Sequence, residues 1–404
     1  MCLNNVYILL VTLTLSVAIP SSQAARTPLE VSEQEEEKVE ISPVDSWLKD
    51  FDAQRESFAE KYGTRFAFLF NYAQQAIIKS KHDEGKSRGP WYWDLEIEQK
   101  LWPGGALFAE FEMDKGKGVD KFLPTYSVFS DNAGESAWFY LPALYIEQKL
   151  FKDEITFTAG KLNLSDWFDY NEVAGCGDTQ FSSSALVNNP TIPFPYIGIA
   201  ALVNFEPYEW LYFQSGTGTA KVSYTKTGLS DAFNSAFFIN ELGLTPKFGS
   251  LQGNYRFIFY TNHQKLDYLN SDETKKNDSG FALSFDQAIT KNATLFFRYG
   301  VADPKVRDIE YFWSCGAQVT EPFPGRKFDC LGIGVAQSIV GDDYREANGY
   351  DETWRAETMY EAYYSYYLNG CMALTPNLQV VTHPSVDKAE GTEIVCGLRF
   401  LLSF

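Results

Sequence analysis

With a net charge of −19 over 404 residues, the chain presents a surface that phosphates repel, which excludes a nucleic-acid partner. Aromatic residues make up 16% of the sequence, yet the mean hydropathy is mildly polar at −0.25, and beyond the first segment no apolar run reaches the roughly 20 residues a membrane-crossing helix needs. A sheet with one face toward lipid and the other toward water reconciles these facts, because the two kinds of residue alternate and average out.

The first segment, Leu9 to Ile19, is a short apolar run followed by Ser22-Gln23-Ala24, the pattern of a secretory signal and its cleavage site, although Met1 to Tyr7 carries no Lys or Arg. Residues 1–24 are therefore expected to be a signal peptide. Residues 25–45 hold Glu30, Glu33, Glu35, Glu36, Glu37 and Glu40 with little apolar mass, and read as a solvated acidic linker. In residues 46–63, Trp47, Leu48, Phe51, Arg55, Phe58, Ala59 and Tyr62 recur at spacings of three and four, which predicts an amphipathic helix closed by Gly63. Its polar side favours a periplasmic position at a barrel mouth.

From Thr64 the period changes to two. Phe66, Phe68, Phe70 and Tyr72 share one face, and Trp91, Trp93, Leu95 and Ile97 oppose Asp94, Glu96 and Glu98. Leu107, Ala109, Phe111 and Met113 alternate with Glu110, Glu112 and Asp114; Tyr255, Phe257 and Phe259 with Asn254 and Arg256; Leu295, Phe297 and Tyr299 with Arg298. Tight turns are expected at Trp102-Pro103-Gly104-Gly105, Phe151 to Glu154, Glu206 to Glu209, Thr245-Pro246-Lys247, Thr290-Lys291-Asn292, Phe323-Pro324-Gly325 and Asn369-Gly370. Longer polar stretches lie between them. Alternating short and long connections predict an all-β transmembrane antiparallel barrel over residues 64–404, of about sixteen strands, wide enough for a water-filled channel. The closing strand, Ile394 to Phe404, sets Cys396, Leu398, Phe400 and Leu402 against Glu393, Arg399 and Ser403. An amphipathic strand ending in Phe resembles the signal read by barrel assembly machinery.

Several blocks resemble the OprB family of carbohydrate-selective porins: Trp47 to Phe68; Ala159-Gly160-Lys161-Leu162-Asn163 with Asp166-Trp167-Phe168-Asp169, Asp178-Thr179-Gln180-Phe181 and Asn189 to Pro195; and Glu361 to Tyr364, Leu374 to Val380 and Gly397 to Phe400. Asp52-Ala53-Gln54 stands where the family has a Gly-Gly pair. The resemblance implies an outer-membrane pore for passive diffusion of small hydrophilic solutes, usually sugars, and allows a homotrimer. It also implies that the long connection from Asn163 to Pro195 folds into the lumen and narrows it.

Sugar passage needs hydroxyl partners and aromatic faces that hold solute weakly. The inward candidates are Glu96, Glu98, Glu110 and Glu112, with Arg65, Lys161, Arg256 and Arg298 as positive counterparts and Asp166, Trp167 and Asp169 at the start of the long connection. Such charges serve equally to solvate a wide lumen or to pair across it. Trp93 belongs by parity to the lipid-side girdle.

Enzymatic readings are weaker. Glu96 and Glu98 superficially suit a glycosidase but lack an apolar pocket to raise one pKa. His82, His263 and His383 fall in expected external loops, and Gly332-Ile333-Gly334 reads as a strand beside crowded neighbours rather than a nucleotide loop. Cys176, Cys315, Cys330, Cys371 and Cys396 have no metal-site spacing, so neither metal nor cofactor is expected. Two alternatives share the barrel: a general, mildly cation-preferring porin, and a structural envelope protein cross-linked through its odd cysteine.

Overall fold

The computed structural model describes residues 43–132, 139–221, 235–275, 277–350, 355–387 and 391–404, with side chains from Asp50 onward. The expected signal segment and nearly all of the acidic linker lie outside the described residues. Among the described residues no helix is long and apolar enough to cross a membrane.

The chain crosses with strands instead. Sixteen long strands run in order: β1 Thr64–Lys79, β2 Trp91–Trp102, β3 Gly105–Lys115, β4 Tyr140–Leu150, β5 Ile155–Leu162, β6 Gly198–Tyr208, β7 Leu211–Thr219, β8 Ala236–Leu244, β9 Leu251–Asn262, β10 Asp278–Ala288, β11 Ala293–Val301, β12 Ile309–Thr320, β13 Cys330–Val340, β14 Ala356–Asn369, β15 Met372–Thr382 and β16 Glu393–Ser403. Each pairs antiparallel with its sequence neighbour, and β16 returns to β1 from Leu69↔Ser403 to Lys79↔Ile394. Closure leaves no open edge between first and last strands, which is what backbone polar groups in hydrocarbon require. Two-residue segments, Ser87–Arg88 and Lys247–Phe248, extend the sheet locally.

All seven expected tight turns lie at one end of the barrel, with the start of β1 and the end of β16. At Gly104 the backbone has φ +75, and a Cβ there would sit 2.6 Å from the Lys149 carbonyl oxygen, so the turn needs glycine. The long connections, including those carrying His82, His263 and His383, are at the other end. Outward positions are large and apolar: Phe157, Phe205, Phe257, Phe259, Phe281 and Ile333 are exposed. Trp102, Phe151, Tyr208, Trp210, Phe248 and Phe323 mark the short-turn rim, an aromatic girdle of the kind that sits at headgroup level.

Helix α1, Pro43–Tyr62, spans the predicted periodic segment and begins a turn earlier. Gly63, at φ +68, donates its N–H to the Ala59 carbonyl and ends it. The helix leans on the outward side of the closing seam. Phe51 meets the Phe404 ring edge-on at 5.5 Å, Phe58 meets Phe66 at 6.1 Å, and Arg55 donates to the Phe66 carbonyl at 2.6 Å.

The apolar core lies inside the ring. Residues 116–132 and 163–197 fold inward and pack on inward-facing wall residues: Val119, Leu123, Phe129, Val173, Phe181 and Leu186 form one cluster with Ile77, Phe296, Phe312, Met359, Val381 and Val395. A second cluster joins Leu164, Phe168 and Ile192 to Tyr145, Phe237, Ile239 and Ile258. Small residues in the wall admit these loops. Of the two glycines that the sequence marks as crowded, a Cβ at Gly334 would lie 2.9 Å from Leu186 Cδ2 and 3.0 Å from the Phe181 ring of the loop, whereas one at Gly332 would meet the Tyr363 ring of β14 at 2.2 Å.

Candidate functional site

Strand parity builds the lumen wall. In β2 and β3, register sets Asp94 opposite Glu112, Glu96 opposite Glu110 and Tyr92 opposite Asp114. Like charges on directly opposed residues repel, so this acidic ladder costs stability and concentrates negative potential on one sector. Arg65 lies opposite Glu98 near the short-turn end, also facing inward. Next to the ladder, Phe108 stacks on Tyr145 at 4.8 Å and Tyr145 meets Trp167 edge-on at 5.9 Å.

Asn163 opens the long loop by capping a short turn, its side chain accepting from Ser165 N–H at 3.3 Å and donating to Asp166 at 3.3 Å. The next residues run along the inner face of the neighbouring strands. Gln214 of β7 donates to the Trp167 carbonyl at 2.9 Å, and Glu241 of β8 accepts the Asp169 N–H at 3.1 Å. Asp169 itself has φ +60, a left-handed conformation that its short polar side chain tolerates. Burial pushes its carboxyl up to about 6, against the pull of the adjacent Arg298 guanidinium.

Arg298 is fully buried: it donates to the carbonyls of Ala174 at 2.6 Å, Leu186 at 3.1 Å and Asp169 at 3.0 Å. Arg256 pairs with Asp286 at 2.8 Å and lies over the Tyr170 ring. The two arginines thus anchor the loop or its wall partners. Lys161 stands apart from both groups. Its register partner is outward-facing Leu144, and its ammonium donates to the Leu141 carbonyl at 2.6 Å.

Further wall residues, outside the predicted set, hold the loop's far half. Glu361 of β14 accepts from Ser182 N–H at 2.7 Å and Ser183 N–H at 2.9 Å. Arg399 of β16 donates to the Gly177 and Gln180 carbonyls at 2.5 and 2.8 Å, and Asn71 of β1 donates to Asp178 at 2.7 Å. Their inward parity was legible in the sequence; their use as backbone anchors was not, because nothing local records which loop atoms they meet. Segment 116–132 was also missed as a lumen element. It is zipped to the first through Ser127 and Val128, whose carbonyls accept from Ala185 and Ser184 N–H at 3.1 Å each.

A closed sixteen-strand ring whose interior is crossed by anchored loops matches a family model. Residues 90–404 fit the carbohydrate-selective porin family, OprB. The chain belongs to the OprB family. Porin B of Pseudomonas aeruginosa is 23% identical, with 90% of this chain and 92% of that protein aligned. Porin AaxA of Chlamydia pneumoniae is 25% identical over 65% of this chain and 58% of its own length. Among solved structures, OprB of Pseudomonas putida superposes with a TM-score of 0.77 in its high-pH form and 0.55 in its low-pH form, at 18% and 17% identity, each covering 88% of this chain and 97% of that one. The fold is shared at low identity. This OprB-family porin is accordingly an outer-membrane channel and not an enzyme. Cys315, Cys330 and Cys396 are not in disulfides, and of these three Cys396 is the exposed one, on the lipid side of β16.

Proposed function

We propose that this porin passes small neutral sugars along the acidic sector of its lumen. Glu96, Glu98, Glu110, Glu112 and Asp166 offer acceptors to sugar hydroxyls, Arg65 a donor toward the short-turn end, and Trp167 an aromatic surface, while Asp169, Arg256 and Arg298 keep the constriction loop in place. The supporting observation is the adjacency of the β2–β3 carboxylates to the Phe108, Tyr145 and Trp167 cluster, since hydroxyl acceptors beside ring faces suit weak, reversible sugar contact. Liposome swelling with sugars of increasing size tests it. Swelling no faster than in protein-free vesicles rejects the reading.

A second reading keeps the channel and gives it a cation preference. It is favoured by the opposed carboxylates at Asp94/Glu112 and Glu96/Glu110, across the lumen from arginines engaged with loop and wall groups. Reversal potentials in a salt gradient, read beside sugar block of the current, separate the two. We also propose export with removal of residues 1–24, trimers in the membrane, and recognition of the Phe404 end by assembly machinery. The last is supported by the two backbone hydrogen bonds that Phe404 exchanges with Phe68. N-terminal sequencing, native gels and insertion of a Phe404→Ser variant address these in turn.

A further inference from the structure

Glu357 of β14 has no exposed surface, and it is the point where two separate loops meet the wall. One carboxylate oxygen accepts from Ser127 N–H at 2.7 Å and Ser127 Oγ at 2.6 Å. The other accepts from Tyr126 N–H at 3.1 Å and, out of the last long connection, Ser385 N–H at 2.6 Å. The Ser385 hydroxyl then donates to the Pro124 carbonyl at 2.7 Å, so the two loops are also joined directly.

The backbone on both sides of this junction is strained. Val128 has φ +51, Ser385 φ +53 and Val386 φ +60. The left-handed region is rarely entered by non-glycine residues and is a genuine outlier for β-branched valine. Such conformations persist only where surrounding contacts over-determine them, and they collect at clamps and switches. Here Glu357 holds Ser385 itself and Ser127 beside Val128, while the Val128 N–H donates to Thr125 Oγ1 at 3.1 Å and the Val386 N–H to the His383 carbonyl at 2.9 Å. Ser127 and Val128 in turn give their carbonyls to the N–H groups of Ala185 and Ser184 in the constriction loop, so the junction continues into the element that narrows the lumen.

We propose that Glu357 is a positioning residue of the constriction: it holds residues 116–132 and 383–387 in a strained inward conformation, and through Ser127 and Val128 it sets where the constriction loop stands. The claim concerns loop placement and is independent of which solute the channel carries. Without the charge, the four donors share one carbonyl oxygen and face an amide that itself donates, and the strained backbone has a route to relax away from the wall.

Single-channel recording of the full-length protein in planar bilayers reads this. Glu357→Gln is expected to visit a higher-conductance level about tenfold more often than the parent, the factor carried by one lost hydrogen bond to a charged group. Ser127→Ala, which leaves the carboxylate intact and removes one donor, is expected to do so to a smaller degree, and it carries the test if the first variant does not assemble. Adding Val128→Gly and Val386→Gly to Glu357→Gln should restore the parental trace, because glycine occupies the left-handed region without strain. A role confined to barrel stability lowers the heat-modification temperature without altering the current and without glycine rescue. Parental conductance in both Glu357→Gln and Ser127→Ala, or no recovery on adding the glycines, overturns the proposal.

Discussion

Arg298 and Asp169 face each other in the barrel interior, guanidinium Nε 3.3 Å from carboxylate Oδ1, with side chains 0% and 3% exposed. The pair joins a wall strand to the loop that crosses the lumen. Because the same guanidinium also serves the Ala174, Leu186 and Asp169 carbonyls, its removal strands one carboxylate and three backbone acceptors together. Arg298→Met is therefore expected to cost about 3–5 kcal/mol, the range for breaking one side of a buried pair. Arg298→Met with Asp169→Asn should cost less, since the carboxylate that Arg298 neutralised is gone as well. Heat-modification curves in detergent compare the two, and an equal loss in both would show that the ion pair is not what the loop depends on.

Two loop carboxyls give the fold a pH dependence of definite sign. Burial pushes Asp169 up to about 6, and burial likewise takes Asp120 to about 6 although it accepts the Phe129 and Ser130 N–H groups. A carboxyl whose folded pKa exceeds its unfolded value near 3.9 favours the fold when protonated. That contribution is complete below about pH 4 and is lost as pH rises through about 6, so these groups make the loops firmer on acidification from 7 to 4. The scale is roughly 2–3 kcal/mol for each, from about two pKa units. Limited proteolysis of the loops across this interval should slow as pH falls, and Asp120→Asn with Asp169→Asn should flatten the dependence. An unchanged slope in the double variant assigns the effect elsewhere.

The barrel was readable because its rules are local. Period-two runs such as Trp91 to Glu98 fix which side chains face lipid, and Pro, Gly and Asn mark turns whose short length forces neighbouring strands to pair. The interior was less readable because it depends on contacts far apart in the chain. Arg298 and Arg256 were predicted to face inward and do, but alternation cannot tell a charge that meets solute from one consumed by a loop carbonyl. Glu357 and Glu361 follow the same parity and acquire their role only from Ser127, Ser182, Ser183 and Ser385, which are reached through closure of the ring. Segment 116–132 carries no periodicity that would send it inward.

The opposed acids predict a trade between selectivity and stability. Glu96 and Glu110 are direct cross-strand partners, and like charges so placed destabilise a sheet by roughly 0.2–1 kcal/mol. Glu96→Gln with Glu110→Gln should therefore raise the unfolding temperature slightly while moving the reversal potential in a potassium chloride gradient toward zero. The two readouts are expected to change in opposite directions of benefit. A more stable variant with an unaltered reversal potential would place the selectivity on other groups.

Gly334 offers a test of loop seating that leaves every charge in place. Its missing side chain is the space into which Leu186 and Phe181 pack, at 2.9 and 3.0 Å from the position a Cβ would take. On the other side of the strand the wall faces lipid, where a larger residue would meet little resistance; on this side it meets a packed loop held at both ends by Arg298 and Arg399. Gly334→Val is expected to cost about 1–3 kcal/mol as overpacking, and since β13 keeps unbroken register around Gly334 with Gly316 of β12 and Glu361 of β14, the loop should yield before the strand. Conductance should then change while the barrel still runs as a folded species on unheated gels. A variant that fails to fold would mean the strand, not the loop, absorbs the clash.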